Sequence, residues 1–215
     1  TSKRRTKALG QRCKLLWRTC MHKEALEYAV KHVYQHDECI KEILRNPQIL
    51  KPVSDAALAA SNVLRNGGKL LLCGNGGSAA DAQHFAAEFV VRLEDDRSPL
   101  PAIALTTDSS LITATANDYS FEDVFARQVQ AFANSTDLLI AISTSGNSQN
   151  VLRAAKTAAD MGCNVFGLTG SDGGKLEEAS DYCFKAPSKR TMRVQELHAL
   201  ALHIFCSIAE GQFLE

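Results

Sequence analysis

A chain of 215 residues with 45% hydrophobic and 22% charged residues has the composition of an ordinary globular protein, large enough to fill one core. Lys plus Arg and Asp plus Glu number 24 each, and the resulting zero formal charge argues against a protein whose main task is to coat nucleic acid or an anionic membrane. No apolar run approaches the ~20 residues that a bilayer-spanning helix needs, and the seven cysteines are scattered without close pairs, which points to reduced thiols in a cytoplasmic protein.

The zero charge hides an asymmetry. Residues 1–20 carry Lys3, Arg4, Arg5, Lys7, Arg12, Lys14 and Arg18 and no acid; with those seven set aside, 17 basic residues face 24 acidic ones from Met21 onward. The leader reads as a targeting presequence, a nucleic-acid arm, or sequence upstream of the true start at Met21, and the last is preferred because a helical pattern begins there. It is expected to be disordered or non-native, with residues 21–215 forming one domain.

From Met21 to about Arg45, Leu26, Val30, Val33, Ile40 and Leu44 recur at helical spacing, and a second helical stretch runs from Pro52 to a stop at Asn66, Gly67 and Gly68. Lys69 to Cys73 is a strand-like apolar run that ends in Gly74, Asn75, Gly76, Gly77 and Ser78, and Ala79 to Arg92 reads as helix. The pattern returns at Ala102 to Leu105, and again at Leu138 to Ile142, which runs into Ser143, Thr144, Ser145, Gly146, Asn147 and Ser148. It returns once more at Asn164 to Leu168. Tyr182 to Phe184 is a short fifth strand before a closing helix from about Arg190 to Gln212. Strands alternating with helices predict an α/β fold, a doubly wound and mainly five-stranded parallel sheet flanked by helices, with extra helices at the N-terminus. In such sheets ligands bind beyond the carboxyl ends of the strands, where the Gly, Ser and Thr clusters fall.

The turn at Gly74–Ser78 can cradle an anion on bare amides at the start of a helix, although glycine after a strand is also an ordinary turn. It is neither a P-loop nor a complete dinucleotide fingerprint. Ser143–Ser148 sets hydroxyls and amides in front of a helix without Arg or Lys, which suits a phosphate monoester that must bind and leave uncleaved; a plain N-cap is the competing reading. Asp81, His84 and Glu88 share one helix face, and the His84–Glu88 spacing serves either a metal and acid–base site or a surface ion pair. In the closing helix, His198 and His203 lie among apolar residues. A histidine in so apolar a segment, His198 or His203, reads first as a core or interface residue and only second as a functional one, while Gln195 and His203 are two turns apart and about 80° around the axis, close enough to border one cavity.

In order, the motifs Cys73-Gly-Asn-Gly-Gly-Ser-Ala-Ala-Asp-Ala-Gln-His84-Phe-Ala-Ala-Glu88, Pro101-Ala-Ile-Ala-Leu-Thr-Thr-Asp108, Ala116-Asn-Asp118-Tyr, Ile142-Ser-Thr-Ser-Gly-Asn-Ser148, Leu168-Thr-Gly-Ser-Asp-Gly-Gly174 and Arg193-Val-Gln-Glu-Leu-His198 with His203 closely resemble the phosphoheptose isomerases from about Met21 to the end. The resemblance implies a sugar-isomerase (SIS) fold of flavodoxin-like type and a cytoplasmic homotetramer. It also implies conversion of sedoheptulose 7-phosphate to glycero-manno-heptose 7-phosphate, a step toward nucleotide-activated heptose for lipopolysaccharide or other surface polysaccharide. Carried over residue by residue, it implies substrate contacts from Asn75, Gly76, Gly77, Ser78, Glu88, Asn117, Asp118, Ser143, Thr144, Ser145, Ser148 and Gln195. It further implies a Zn2+ site at His84, Glu88, Gln195 and His203, and an acid–base pair of Glu88 and His203. No membrane or nucleic-acid partner is expected. One departure is the stretch Arg190-Thr-Met-Arg193, where relatives often carry Thr-Ala-Arg or Ala-Asp-Arg; it sets Met192 near Gln195. Two alternatives remain: a non-catalytic SIS protein that binds the DnaA replication initiator, or another SIS enzyme acting on amino-sugar phosphates.

Overall fold

The structure is a computed structural model that describes the backbone of residues 2–214 and the side chains of residues 23–214. The basic leader of residues 1–20 therefore lies outside the residues whose side chains are described. By contacts the chain divides into two units, residues 1–42 and 43–215. The first holds most of α1 (Ser2–Arg45).

The second unit begins, after a single 3-10 turn, with α2 (Lys51–Arg65), then follows β1 (Leu70–Gly74), α3 (Gly77–Val90), β2 (Ala102–Ala104), α4 (Ser109–Asp118), α5 (Ala126–Phe132), β3 (Leu138–Ile142), α6 (Gln149–Asp160), β4 (Asn164–Thr169), α7 (Gly174–Glu178), β5 (Tyr182–Lys185) and α8 (Thr191–Glu210). Pro52 sits in the first turn of α2, where its missing N–H costs nothing, and Gly67, at φ +77°, turns the chain out of its end.

All four strand pairings are parallel and the order is β2-β1-β3-β4-β5. Every residue of β1 and β3 is buried, which explains their unbroken apolar runs: both faces of the sheet are covered, so no polar alternation is needed. On one face Leu71, Cys73, Leu139, Ala141 and Val165 pack with Val129 of α5 and with Val151, Ala154, Ala155 and Ala158 of α6. On the other, Phe205 of α8 stacks on Phe166 of β4 at 5.4 Å and meets Phe89 of α3 edge-on at 5.8 Å.

Asp137, itself buried, registers the amino ends of the two central strands. Its carboxylate accepts the Lys69 N–H at 2.8 Å, the Lys69 ammonium at 2.6 Å and the Asn134 N–H at 2.8 Å. At the opposite, carboxyl ends the order reverses, because β1 continues to β2 on one side and to β3 on the other. A crevice must open there, and the loops after β1 and β3 form its lips.

Candidate active site

The loop after β1 turns on Gly76, at φ +56°, and leads into α3 at Gly77. Asn75 is fixed by a reciprocal amide pair with Asn150: each Nδ2 donates to the other's Oδ1 at 2.8 Å. Asn150 is buried in the first turn of α6, so this pair ties the first loop to the helix that follows the second. Nothing in the sequence patterning singled out Asn150, since its partner lies 75 positions away.

In the second loop Ser143 Oγ donates to Ser148 Oγ at 3.0 Å, and Gly146 takes φ +64°. Ser148 stands at the N-cap of α6 but its hydroxyl makes no cap bond, and the Val151 N–H donates instead to Asn150 Oδ1 at 3.0 Å. The loop leans on the turn after β4: the Gly170 N–H donates to the Thr144 carbonyl, and the Leu176 N–H to that of Gly146, both at 3.0 Å. A cavity of about 320 Å³ opens between them, lined by Thr144, Ser145, Gly170 and Ser171 among others.

α3 and α8 run side by side. A Cβ added to Gly77 would fall 3.0 Å from Gln195 Cδ and closer still to its Nε2, so the Gln195 amide rests on the first residue of α3. Two turns along α8 the His203 ring meets the rings of His84 at 5.3 Å and Phe85 at 4.8 Å, both edge-on. His84 Nε2 and Glu88 Oε1 are 2.9 Å apart. Ligand atoms of His84, Glu88 and His203 all lie within 4.8 Å of one another. Two imidazoles and a carboxylate so close together are a donor set that could hold a metal ion.

Asp81 shares this helix face. Its Oδ2 is buried without a hydrogen-bond partner among the described residues, and burial pushes the carboxyl's pKa up against the opposing pull of His84. His198 is fully buried, with Nε2 2.9 Å from the Thr169 carbonyl, and belongs to the core as expected.

The structure thus brings His84, Glu88 and His203 together, sets Gln195 against Gly77 next to Gly76 and Ser78, and groups Ser143, Thr144, Ser145 and Ser148 in one loop. Asn117 and Asp118 stand exposed at the end of α4, where Asn117 Nδ2 donates to Asp118 Oδ1 at 2.8 Å; among the described residues neither is hydrogen-bonded to the loops or to the cluster. Met192 is exposed in the first turn of α8, with its sulfur 4.0 Å from Arg190 Nη2.

Comparison with known proteins follows the same lines. A family model described as SIS domain matches residues 36–170. The phosphoheptose isomerase of Aliarcobacter butzleri is 51% identical over 183 residues, covering 85% of this chain and 96% of the relative. That of Helicobacter pylori is 49% identical, covering 85% and 94%. Among solved structures, the phosphoheptose isomerase GmhA from Neisseria gonorrhoeae superposes with TM-score 0.79 at 42% identity over 85% of this chain and 98% of that one. The Francisella tularensis enzyme gives 0.81 at 38% identity over 87% and 98%.

Proposed function

The chain belongs to the phosphoheptose isomerases of the SIS-domain family, and we propose that it interconverts sedoheptulose 7-phosphate and glycero-manno-heptose 7-phosphate at the crevice beside β1 and β3. The observation that carries this reading is the meeting of Glu88 and His84 from α3 with His203 from α8, more than a hundred positions apart in the chain, alongside the glycine turn.

The Ser143–Ser148 loop and the first amides of α6 take the phosphate. Neutral hydroxyls and a helix N-terminus hold a dianion without attacking it. Asn75, Gly76, Gly77 and Ser78 line the sugar from the other lip, Gln195 orients it from α8, and Asn117 and Asp118 contribute from α4. Moving the carbonyl from C2 to C1 needs one proton removed from C1, one delivered to C2, and one passed between the two oxygens. Glu88 takes and returns the carbon proton, and His203 moves the oxygen proton; the sum leaves both side chains as they began.

His84, Glu88 and His203, with Gln195 as a fourth, suit one zinc ion per subunit, which when bound supplies a Lewis acid that polarises the carbonyl. The product feeds nucleotide-activated heptose for surface polysaccharide. We place the enzyme in the cytoplasm as a homotetramer: among the described residues no helix is long and apolar enough to cross a membrane, and α1 carries large apolar side chains in the open. The initiator-binding alternative is set aside, since both proposed reacting groups are present and adjacent.

The test is turnover of sedoheptulose 7-phosphate followed by NMR, with and without a chelator, in the native chain and in Glu88→Gln. The native chain is expected to convert the ketose and to lose that ability to the chelator, and the variant to lose it by about a hundredfold or more while still binding the sugar phosphate. An active Glu88→Gln chain would remove the proposed base, and chelator-resistant turnover would remove the ion.

A further inference from the structure

Two charged side chains that this chemistry leaves unused lie where the site-bearing helices end. Arg97 and Glu210 are almost wholly buried, with side chains 3% and 5% exposed, and Arg97 Nε lies 3.0 Å from Glu210 Oε1. That N–H is not aimed closely enough at the oxygen to make a hydrogen bond, so the contact is a pairing of charges. The remaining guanidinium nitrogens are directed at backbone. Nη2 donates to the Glu88 carbonyl at 2.8 Å, and Nη1 donates to the carbonyls of Phe89 at 2.8 Å and Ser98 at 3.0 Å. The Glu210 carboxylate accepts the N–H groups of Leu93 at 3.2 Å and Glu94 at 3.3 Å.

Each of these bonds has a consequence for the site. Glu88 and Phe89 belong to the last turn of α3, whose carbonyls find no partner inside the helix, so Arg97 caps that end. One of the two capped carbonyls belongs to Glu88 itself. Glu210 is the last residue of α8, two turns beyond His203, and a carboxylate there stands at the negative end of the helix dipole, out of water. An apolar pair would fill the same space with no desolvation cost. What the pair adds is a fixed link: hydrogen bonds to the carbonyls of Glu88, Phe89 and Ser98 orient the guanidinium, and charge draws Glu210 to it, a combination that neither an apolar contact nor a lysine offers.

We infer that Arg97 and Glu210 form a clamp that sets α3 against α8 at their carboxyl ends and thereby fixes the approach of Glu88 and His84 to His203. They are positioning residues, and the inference rests on the reading of Glu88 and His203 as the reacting groups.

The experiment compares Arg97→Lys, Glu210→Gln and Glu88→Gln as full chains. It measures kcat and KM for sedoheptulose 7-phosphate, zinc affinity by competition with a chromogenic chelator, and folding by circular dichroism. Arg97→Lys is expected to stay folded, with kcat lowered about tenfold or more and zinc held about tenfold or more weakly. KM should change less than threefold, because the phosphate loop lies on β3 and α6. Glu210→Gln should move both quantities the same way by less. Native kcat and zinc affinity in folded Arg97→Lys overturn the clamp. So does a loss shared equally between kcat and KM, and so does a variant that fails to fold, since the pair would then serve the fold alone. An active Glu88→Gln chain takes the clamp down with the catalytic reading, whereas a native-like Arg97→Lys beside an inactive Glu88→Gln sinks the clamp alone.

Discussion

His198 shows what burial does to a single side chain here. Its ring has no exposed surface, its Nε2 faces the Thr169 carbonyl at 2.9 Å and therefore carries the proton, and its Nδ1 has no partner among the described residues. Burial drives its pKa down from 6.5 to about 4, with the Thr169 carbonyl opposing part of that shift. The unfolded chain takes up a proton near the ordinary value while the folded protein waits until about 4. Titration of the residue therefore leaves the fold untouched above pH 6.5, and a penalty builds up as pH falls through that window. Its size is about 3 kcal/mol. Denaturant unfolding between pH 7 and 4 is expected to lose stability more steeply in the native chain than in His198→Gln, whose amide can keep the Thr169 bond and does not titrate; equal slopes would mean that the ring charges freely in the folded protein. A core reading suits His198, an imidazole amid Val194, Leu197 and Leu202, but the sequence offered the same reading for His203 and could not separate the two. The arrival of His203 beside His84 was not legible, because periodicity reports which face a residue occupies and never which helix it will meet. Asn150 and Arg97 left no trace for the same reason: their partners lie on other elements or are backbone carbonyls.

The elements themselves were easier to read. Leu70–Gly74 and Leu138–Ile142 match the apolar runs almost to the residue, since a strand covered on both faces has no way to hide polar positions. The helix expected from Ala79 begins at Gly77, because the turn closes on itself early, with the Ser78 N–H donating to the Asn75 carbonyl at 3.0 Å. Between β2 and β3 two helices, α4 and α5, occupy sequence whose periodicity shows only that it is helical. The second loop is where an element's backbone and its chemistry are most tightly joined. At Gly146 the positive φ disfavours any side chain, and an added Cβ would overlap the Gly173 carbonyl; at Gly76 the φ is also positive but an added Cβ would meet open space. Gly146→Ala is therefore expected to raise KM for the sugar phosphate about tenfold or more and to destabilise by about 1–3 kcal/mol, because the loop must leave its seat on the turn after β4. Gly76→Ala carries the conformational penalty without the clash and should cost less stability. Saturation kinetics and thermal melts of the two variants decide the matter, and an unchanged KM in Gly146→Ala would show that this loop does not hold the phosphate.

At the scale of the whole molecule the open question is what covers the apolar surface of α1. Leu26, Val30 and Val33 follow one another at four and three residues and so share a helix face, and Leu26 and Val33 are 65% and 68% exposed, with Tyr34 beside them at 65%. Single exposed apolar residues are unremarkable, but a stripe of them on one helix is the pattern of a surface buried against another chain. The proposed homotetramer supplies that chain. Tyr119 and Phe121, next to the exposed Asn117 and Asp118, are likewise exposed. Light scattering on the purified protein should give four times the 23.4 kDa of one chain, and the unfolding midpoint should rise with protein concentration, because assembly stabilises the folded state by mass action. Val33→Glu puts a charge in the middle of the stripe and should lower the mass. If Asn117 and Asp118 complete a neighbour's site, turnover per chain should fall with the mass; a native chain that runs as a monomer at full activity would show that one copy holds everything the reaction needs.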